Sequence, residues 1–312
     1  MKNAGLPHAF EKPEKPWLIV IGGPTASGKT DAAIRMAQVF GTEIVSADSR
    51  QVFQEMNIGT AKPTPTQLSQ APHHLIGHRS VTQSYSAGRY SEEALAVLRG
   101  IFRKTNIAIL TGGSGLYIKA VCEGLDQFPD VSEHSMREAS NVYKEGGLEA
   151  LQIAVRKSDP EYFRRVDIRN PHRLLRALSL HIETGGIMAD WQTDSAAMRP
   201  FSPIYIQLAQ DRNVLYERIN RRVDEMLEAG LEKEARMLYP QRTNRALQTV
   251  GYQEFFDYFE GKIDFQESIR LMKRNSRRYA KRQLTWLRRD GFWSEARDVS
   301  EIERIVRTKT GI

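Results

Sequence analysis

The apolar run Trp17-Leu18-Ile19-Val20-Ile21 leads into Gly23-Pro24-Thr25-Ala26-Ser27-Gly28-Lys29-Thr30, and an amphipathic stretch opening Asp31-Ala32-Ala33-Ile34 follows. The spacing is GxxxxGK[ST], set between a strand signal and a helix signal, which is the arrangement of a phosphate-binding P-loop. Each position has a physical reason. Glycines let backbone N–H groups turn inward around phosphate oxygens, Lys29 brings a mobile cation, and the Thr30 hydroxyl is placed to ligate Mg²⁺. A chain that starts this way is committed to a sheet whose first loop binds an anion. The loop alone leaves open whether that anion is a nucleoside triphosphate or another diphosphate.

Alternation of strand and helix signals continues downstream. Helical spacing covers about residues 31–40 and 91–104, and apolar strand runs cover 43–46 and 107–110. The next strand signal, at 204–208, comes only after a stretch dominated by helical patterns at 132–143, 147–157 and 171–184, the last stopped by Gly185-Gly186. Helices with a basic bias follow at 214–229 and 232–238. The expected fold is therefore α/β: a P-loop NTPase-like parallel sheet flanked by helices, with an all-helical inserted subdomain. Residues 1–16 read as a flexible tail, 17–129 and 199–312 as the core with basic C-terminal helices, and 130–198 as the insertion.

Composition excludes several classes. The 312 residues are 40% hydrophobic and 27% charged, and no apolar run approaches the roughly 18 residues that cross a bilayer. The N-terminal stretch is polar and lacks the apolar core of a secretory signal, so a cytoplasmic location away from membranes is expected. A single cysteine, Cys122, rules out an internal disulfide framework, and its apolar neighbours mark it as a core filler. His73-His74 resembles a metal pair, but adjacent side chains point apart and no carboxylate or cysteine accompanies them. Phe255, Phe256, Tyr258 and Phe259 cluster as a helical core would. Lys62 reads equally as a packing residue or a phosphate contact.

Net charge is +7, and its distribution is more telling than its sum. Nine Lys/Arg residues lie between Arg270 and Arg289 with no Asp or Glu among them, on a segment where Met272, Tyr279, Gln283 and Leu287 keep helical spacing. One face packs and the others present cations, Arg277 and Arg278 among them, which suits nucleic-acid phosphates.

The second strand ends in Ala47-Asp48-Ser49-Arg50-Gln51, which places Asp48 at the carboxyl edge of the sheet beside the P-loop. An ATPase uses such an Asp on Mg²⁺, and a transferase uses it as general base on an acceptor. The third strand ends Thr111-Gly112-Gly113-Ser114-Gly115, without the acidic pair expected of an enzyme that activates water. A small-molecule kinase remains the alternative at this point, and a GTPase switch lacks its NKxD motif.

Taken in order, GPTASGKT, SADSRQVF, NIGTAKPT, APHHLIG, YSAGRY, GGSGLYIKA, VGYQEF and YAKRQLTWLRR resemble the bacterial tRNA dimethylallyltransferases, also called tRNA isopentenyltransferases, from Trp17 to Asp290. The resemblance implies Mg²⁺-dependent transfer of a five-carbon allyl group from dimethylallyl diphosphate to N6 of the adenosine 3′ of a tRNA anticodon. Gly23 to Thr30 would hold the prenyl diphosphate, with Thr30 on the metal, and Asp48 would be general base. Ser114 matches a family threonine near the bridging oxygen, with the hydroxyl kept and a methyl lost. Arg137 falls where the family has an arginine that closes on diphosphate or RNA. Asp48, Ser49, Arg50 and Gln51 match residues at the acceptor base, which must be flipped from its stack to react. His172, Arg173 and Arg176 occupy the family's QRxxR segment, another tRNA contact, with His172 in place of Gln. The expected partners are the tRNA anticodon stem-loop and dimethylallyl diphosphate, and the expected state is a monomer.

Overall fold

The computed structural model describes residues 15–192, 197–289 and 291–312; most of the expected N-terminal tail lies outside them. Contacts divide the chain into two compact units, Gly124–Ala197 and the remainder on either side of it.

The larger unit is built on β1 (Trp17–Gly22), α1 (Lys29–Phe40), β2 (Ile44–Ser46), α2 (Pro65–Gln70), β3 (His73–His74), α3 (Ala87–Phe102), β4 (Ile107–Gly112) and α4 (Gly115–Cys122). The smaller unit follows with α5 (Glu133–Ser158), α6 (Pro160–Arg165) and α7 (Pro171–Thr184). The chain then returns to the larger unit through β5 (Ser202–Leu208), α8 (Arg212–Glu228), α9 (Leu231–Leu238), α10 (Gln253–Phe259), α11 (Phe265–Arg289), β6 (Ser294–Ala296) and α12 (Val299–Thr310). No helix among the described residues is long and apolar enough to cross a membrane.

All six strands among the described residues run parallel in the order β3-β2-β4-β1-β5-β6. β1 is central because its apolar run is buried on both faces, as a parallel strand covered by helices requires. Leu18 and Val20 join Val45, Ala108 and Leu110 in one core layer, which α3, α4 and α9 to α11 complete. Ile19 and Ile21 join Ile44, Ile107, Ile109, Ile204 and Ile206 in the other, under α1 and α12. The chain leaves β1 for β2 on one side and later returns as β5 on the other, so a crevice opens at the carboxyl ends of β1, β2 and β4.

Two strands escape the sequence pattern. β3 and β6 have two and three residues, too few for period-2 alternation to register. In the smaller unit, the helices expected at 132–143 and 147–157 form one element, α5, interrupted at Gly147 (φ 64°, ψ −158°). Its core is Leu151, Val155, Leu174, Leu178 and Leu180 with their neighbours.

Candidate active site

The loop between β1 and α1 enters its helix through Gly28, whose φ of 89° makes it a left-handed N-cap. The amides of the first turn have no carbonyl partners within a helix and carry the positive end of its dipole. Lys29 folds back so that Nζ donates to the carbonyl of Pro24 at 2.6 Å. Burial, reinforced by the nearby Arg222 guanidinium and opposed by Asp48, brings its pKa down to about 7. Ser27 Oγ is buried without a hydrogen-bond partner among the described residues. An incoming anion with acceptor oxygens suits every one of these groups.

One pocket collects Thr25, Lys29, Thr30, Asp48, Arg222 and Tyr279. Asp48 is held by a local turn in which Oδ1 accepts from the amides of Arg50 (2.8 Å) and Gln51 (3.2 Å). Tyr279 of α11 is half-buried beside it, and desolvation together with the Asp48 charge pushes its phenol up to about 12, so it stays a neutral donor. The lining also has an apolar part: Ile219, Val223 and Met226 of α8, with Val250 and Met272. The pocket thus has an anion-seeking end, an apolar wall and a carboxylate.

Thr30 and Asp48 supply hard oxygens in this pocket, and no group of three or more acidic, His or Cys side chains among the described residues forms a complete metal cage. This donor set fits Mg²⁺, which keeps much of its shell from water and substrate phosphates.

Arg222 is a cation that the sequence did not single out. Its Nη1 reaches Thr25 Oγ1 at 3.4 Å from 197 positions away in the chain, and burial lowers its pKa. Gln283 was readable only as part of a packing face, yet its Oε1 accepts from Thr25 N (2.9 Å) while Nε2 donates to the carbonyl of Gly113 (3.0 Å). Glu234, buried on α9, accepts from the amides of Asn57 (2.9 Å), Ile58 (2.8 Å) and Gly59 (2.9 Å) and from the Tyr252 hydroxyl (2.7 Å). It fixes the loop whose Gly59, Thr60 and Ala61 line the pocket.

The remaining expected residues distribute unevenly. Ser114 sits at the N-cap position of α4 without a side-chain cap bond; its Oγ instead accepts from Ser49 N (2.8 Å) and donates to Ser49 Oγ (3.1 Å), so this hydroxyl ties two loops together. Arg50 lines the pocket while donating to the carbonyls of Arg245 and Ala246, and Gln51 donates to those of Thr60 and Ala61. Lys62 is a packing residue, bonded to Phe53 and Asn57. His73 and His74 form β3 and turn to different partners, Ala71 and Glu43. Cys122 is buried, its thiol pushed up to about 12, and Phe255 and Phe256 lie in the core.

On α11 the cations are less uniform than the sequence pattern suggests. Lys273 pairs with Asp224 of α8 at 2.6 Å and Arg277 donates to Asn220 at 2.6 Å, so acidic and amide partners come from a neighbouring helix. Arg278, Lys281, Arg282 and Thr285 line an open surface groove. In the smaller unit, Arg137 is exposed on α5 and pairs with Glu133, while His172, Arg173 and Arg176 are exposed on α7, with Arg176 over the Phe128 ring.

Comparison with known proteins bears on what this arrangement does. A family model described as IPP transferase matches residues 51–290. The tRNA dimethylallyltransferase of Christiangramia forsetii is 48% identical over 88% of this chain and 91% of its own length, and that of Cytophaga hutchinsonii is 44% identical over 94% and 97%. Among solved structures, the full-length tRNA isopentenylpyrophosphate transferase of Bacillus halodurans superposes with a TM-score of 0.69 at 35% identity, covering 96% of each chain. A eukaryotic dimethylallyltransferase acting on tRNA reaches 0.75 at 25% identity, covering 94% of this chain and 77% of that one.

Proposed function

The chain belongs to the IPP transferase family, and from that premise we propose that it transfers the dimethylallyl group of dimethylallyl diphosphate to N6 of the adenosine immediately 3′ of a tRNA anticodon. The observation that carries this reading is the placement of Asp48 in one pocket with the sheltered cations Lys29 and Arg222 and an apolar wall. The first-turn amides, Lys29 and Arg222 bind the diphosphate, and the apolar wall receives the five-carbon chain. N6 of the flipped adenosine attacks the allylic carbon, the carbon–oxygen bond breaks, and diphosphate leaves with the electron pair. The N6 proton passes to Asp48, whose orientation is fixed by the Arg50 and Gln51 amides.

The leaving group gathers negative charge as the bond breaks, and donors already aimed at it need no reorganisation at that moment. Burial holds the Lys29 ammonium down to about 7 without ligand, and a diphosphate beside it would favour the charged form. Thr30, with Asp48 nearby, would hold Mg²⁺, which would supply further charge neutralisation at the diphosphate. Arg278 and its neighbours on α11, with His172, Arg173 and Arg176 of α7, contact tRNA phosphates, and a cytoplasmic place follows from that substrate.

The test is incubation with Mg²⁺, unmodified tRNA and either dimethylallyl diphosphate or ATP, followed by nucleoside mass analysis. N6-dimethylallyl-adenosine with ATP untouched supports the transferase. Consumption of ATP without prenylation returns the kinase reading.

A further inference from the structure

We propose that Gln283 is a positioning residue whose side-chain amide joins the P-loop to the Gly112–Ser114 turn, so that α11 sets the shape of the cradle that receives the diphosphate. The proposal rests on the P-loop as the diphosphate site and not on the identity of the acceptor. Gln283 is 7% exposed and uses both ends of its amide, Oε1 toward Thr25 N and Nε2 toward the Gly113 carbonyl. The two bonds fix the amide's orientation, because a flipped group would set donor against donor and acceptor against acceptor.

The Thr25 amide is thereby turned toward α11. Its peptide precedes Ala26, which sits at φ 63°, a left-handed backbone that a non-glycine residue adopts only when its surroundings hold it there. Thr25 also bears the hydroxyl that meets Arg222. One side chain on α11 therefore holds the loop residue that anchors the second phosphate-site cation. Gly113 belongs to the same device, since a Cβ there would stand 2.0 Å from Gln283 Nε2. Its backbone φ is not positive, so the requirement for glycine at this point is the close approach itself.

Two substitutions attack the link from opposite sides. Gln283→Met keeps length and removes both hydrogen bonds, and Gly113→Ala keeps Gln283 and drives a methyl into it. The full chain is titrated with inorganic diphosphate in the presence of Mg²⁺, and separately with tRNA, and each variant is melted and assayed. For both variants we expect diphosphate affinity to fall by about tenfold or more and KM for dimethylallyl diphosphate to rise in step. Saturated kcat should stay within about threefold and tRNA affinity within about twofold of the parent. Unchanged diphosphate affinity in Gln283→Met overturns the proposal. Joint loss of diphosphate and tRNA binding with a lowered melting temperature also overturns it, assigning the side chain to the fold. If the parent chain binds diphosphate yet prenylates nothing, the function proposed above fails while this test still reads out.

Discussion

Two populations of cations serve two ends of this protein, and they differ in almost every physical respect. Lys29 and Arg222 are sheltered, each is destabilised as a cation by burial, and each touches the P-loop. Arg278, Lys281 and Arg282 stand in water along one groove of α11. A sheltered cation is costly to charge, so it is most at ease with an anion delivered to it, and its effect is local and weakly screened. Exposed cations cost little and act through the diffuse field of a polyanion, where salt competes directly. On the function proposed above, a small diphosphate would be recognised by confinement and a large nucleic acid by its field.

The strongest test of that division is Asp48→Ala, which should cut turnover by about 10²-fold or more while tRNA affinity stays near the parent value; a matched loss of tRNA binding would merge the two ends. Lys29→Met follows, with kcat/KM for dimethylallyl diphosphate expected to fall about 10²-fold and the salt dependence of tRNA binding unaltered. On the exposed side, Arg278→Ala should flatten the slope of log affinity against log salt by about 0.8. Arg277→Ala should move it less, because that guanidinium is bonded to Asn220. Equal slopes for the two variants would show that the Asn220 contact gives way on binding.

The smallest effect is in pH. Burial brings Lys29 down to about 7 in the free protein, and a bound diphosphate would raise it. Below about pH 7 the cation is already present, and above it binding must first add a proton, so this contribution to affinity weakens as pH rises. Calorimetry at about pH 8 in buffers of different ionisation enthalpy should show close to one more proton taken up by the parent than by Lys29→Met.

Much of the confined end was legible in the sequence because its parts are local. Gly23 to Thr30 is one segment, and Asp48 follows at the end of the next strand, where sheet topology places it beside the loop. The residues that complete it were not legible, since nothing local distinguishes them. Gln283 bonds a loop 258 positions away, and Glu234 bonds one 175 to 177 positions away. In sequence, Glu234 is one more acid on an amphipathic helix, and its burial against three amides appears only when the helix docks. The basic pattern of α11 showed its charge but not which cations Asp224 and Asn220 engage, because those partners sit on α8.

The position of β1 also has a consequence for how the chain is made. β1 pairs with β4 on one side and β5 on the other, and the whole Gly124–Ala197 unit is synthesised between those two neighbours. From the time β4 emerges until β5 follows, Leu18-Ile19-Val20-Ile21 is the open margin of an unfinished sheet, with its main-chain donors and acceptors free to pair with another copy. At about 5 to 20 residues per second that interval lasts on the order of ten seconds. Until β5 arrives, the strand that in the finished protein lies between β4 and β5 is thus an edge through which neighbouring nascent chains could pair.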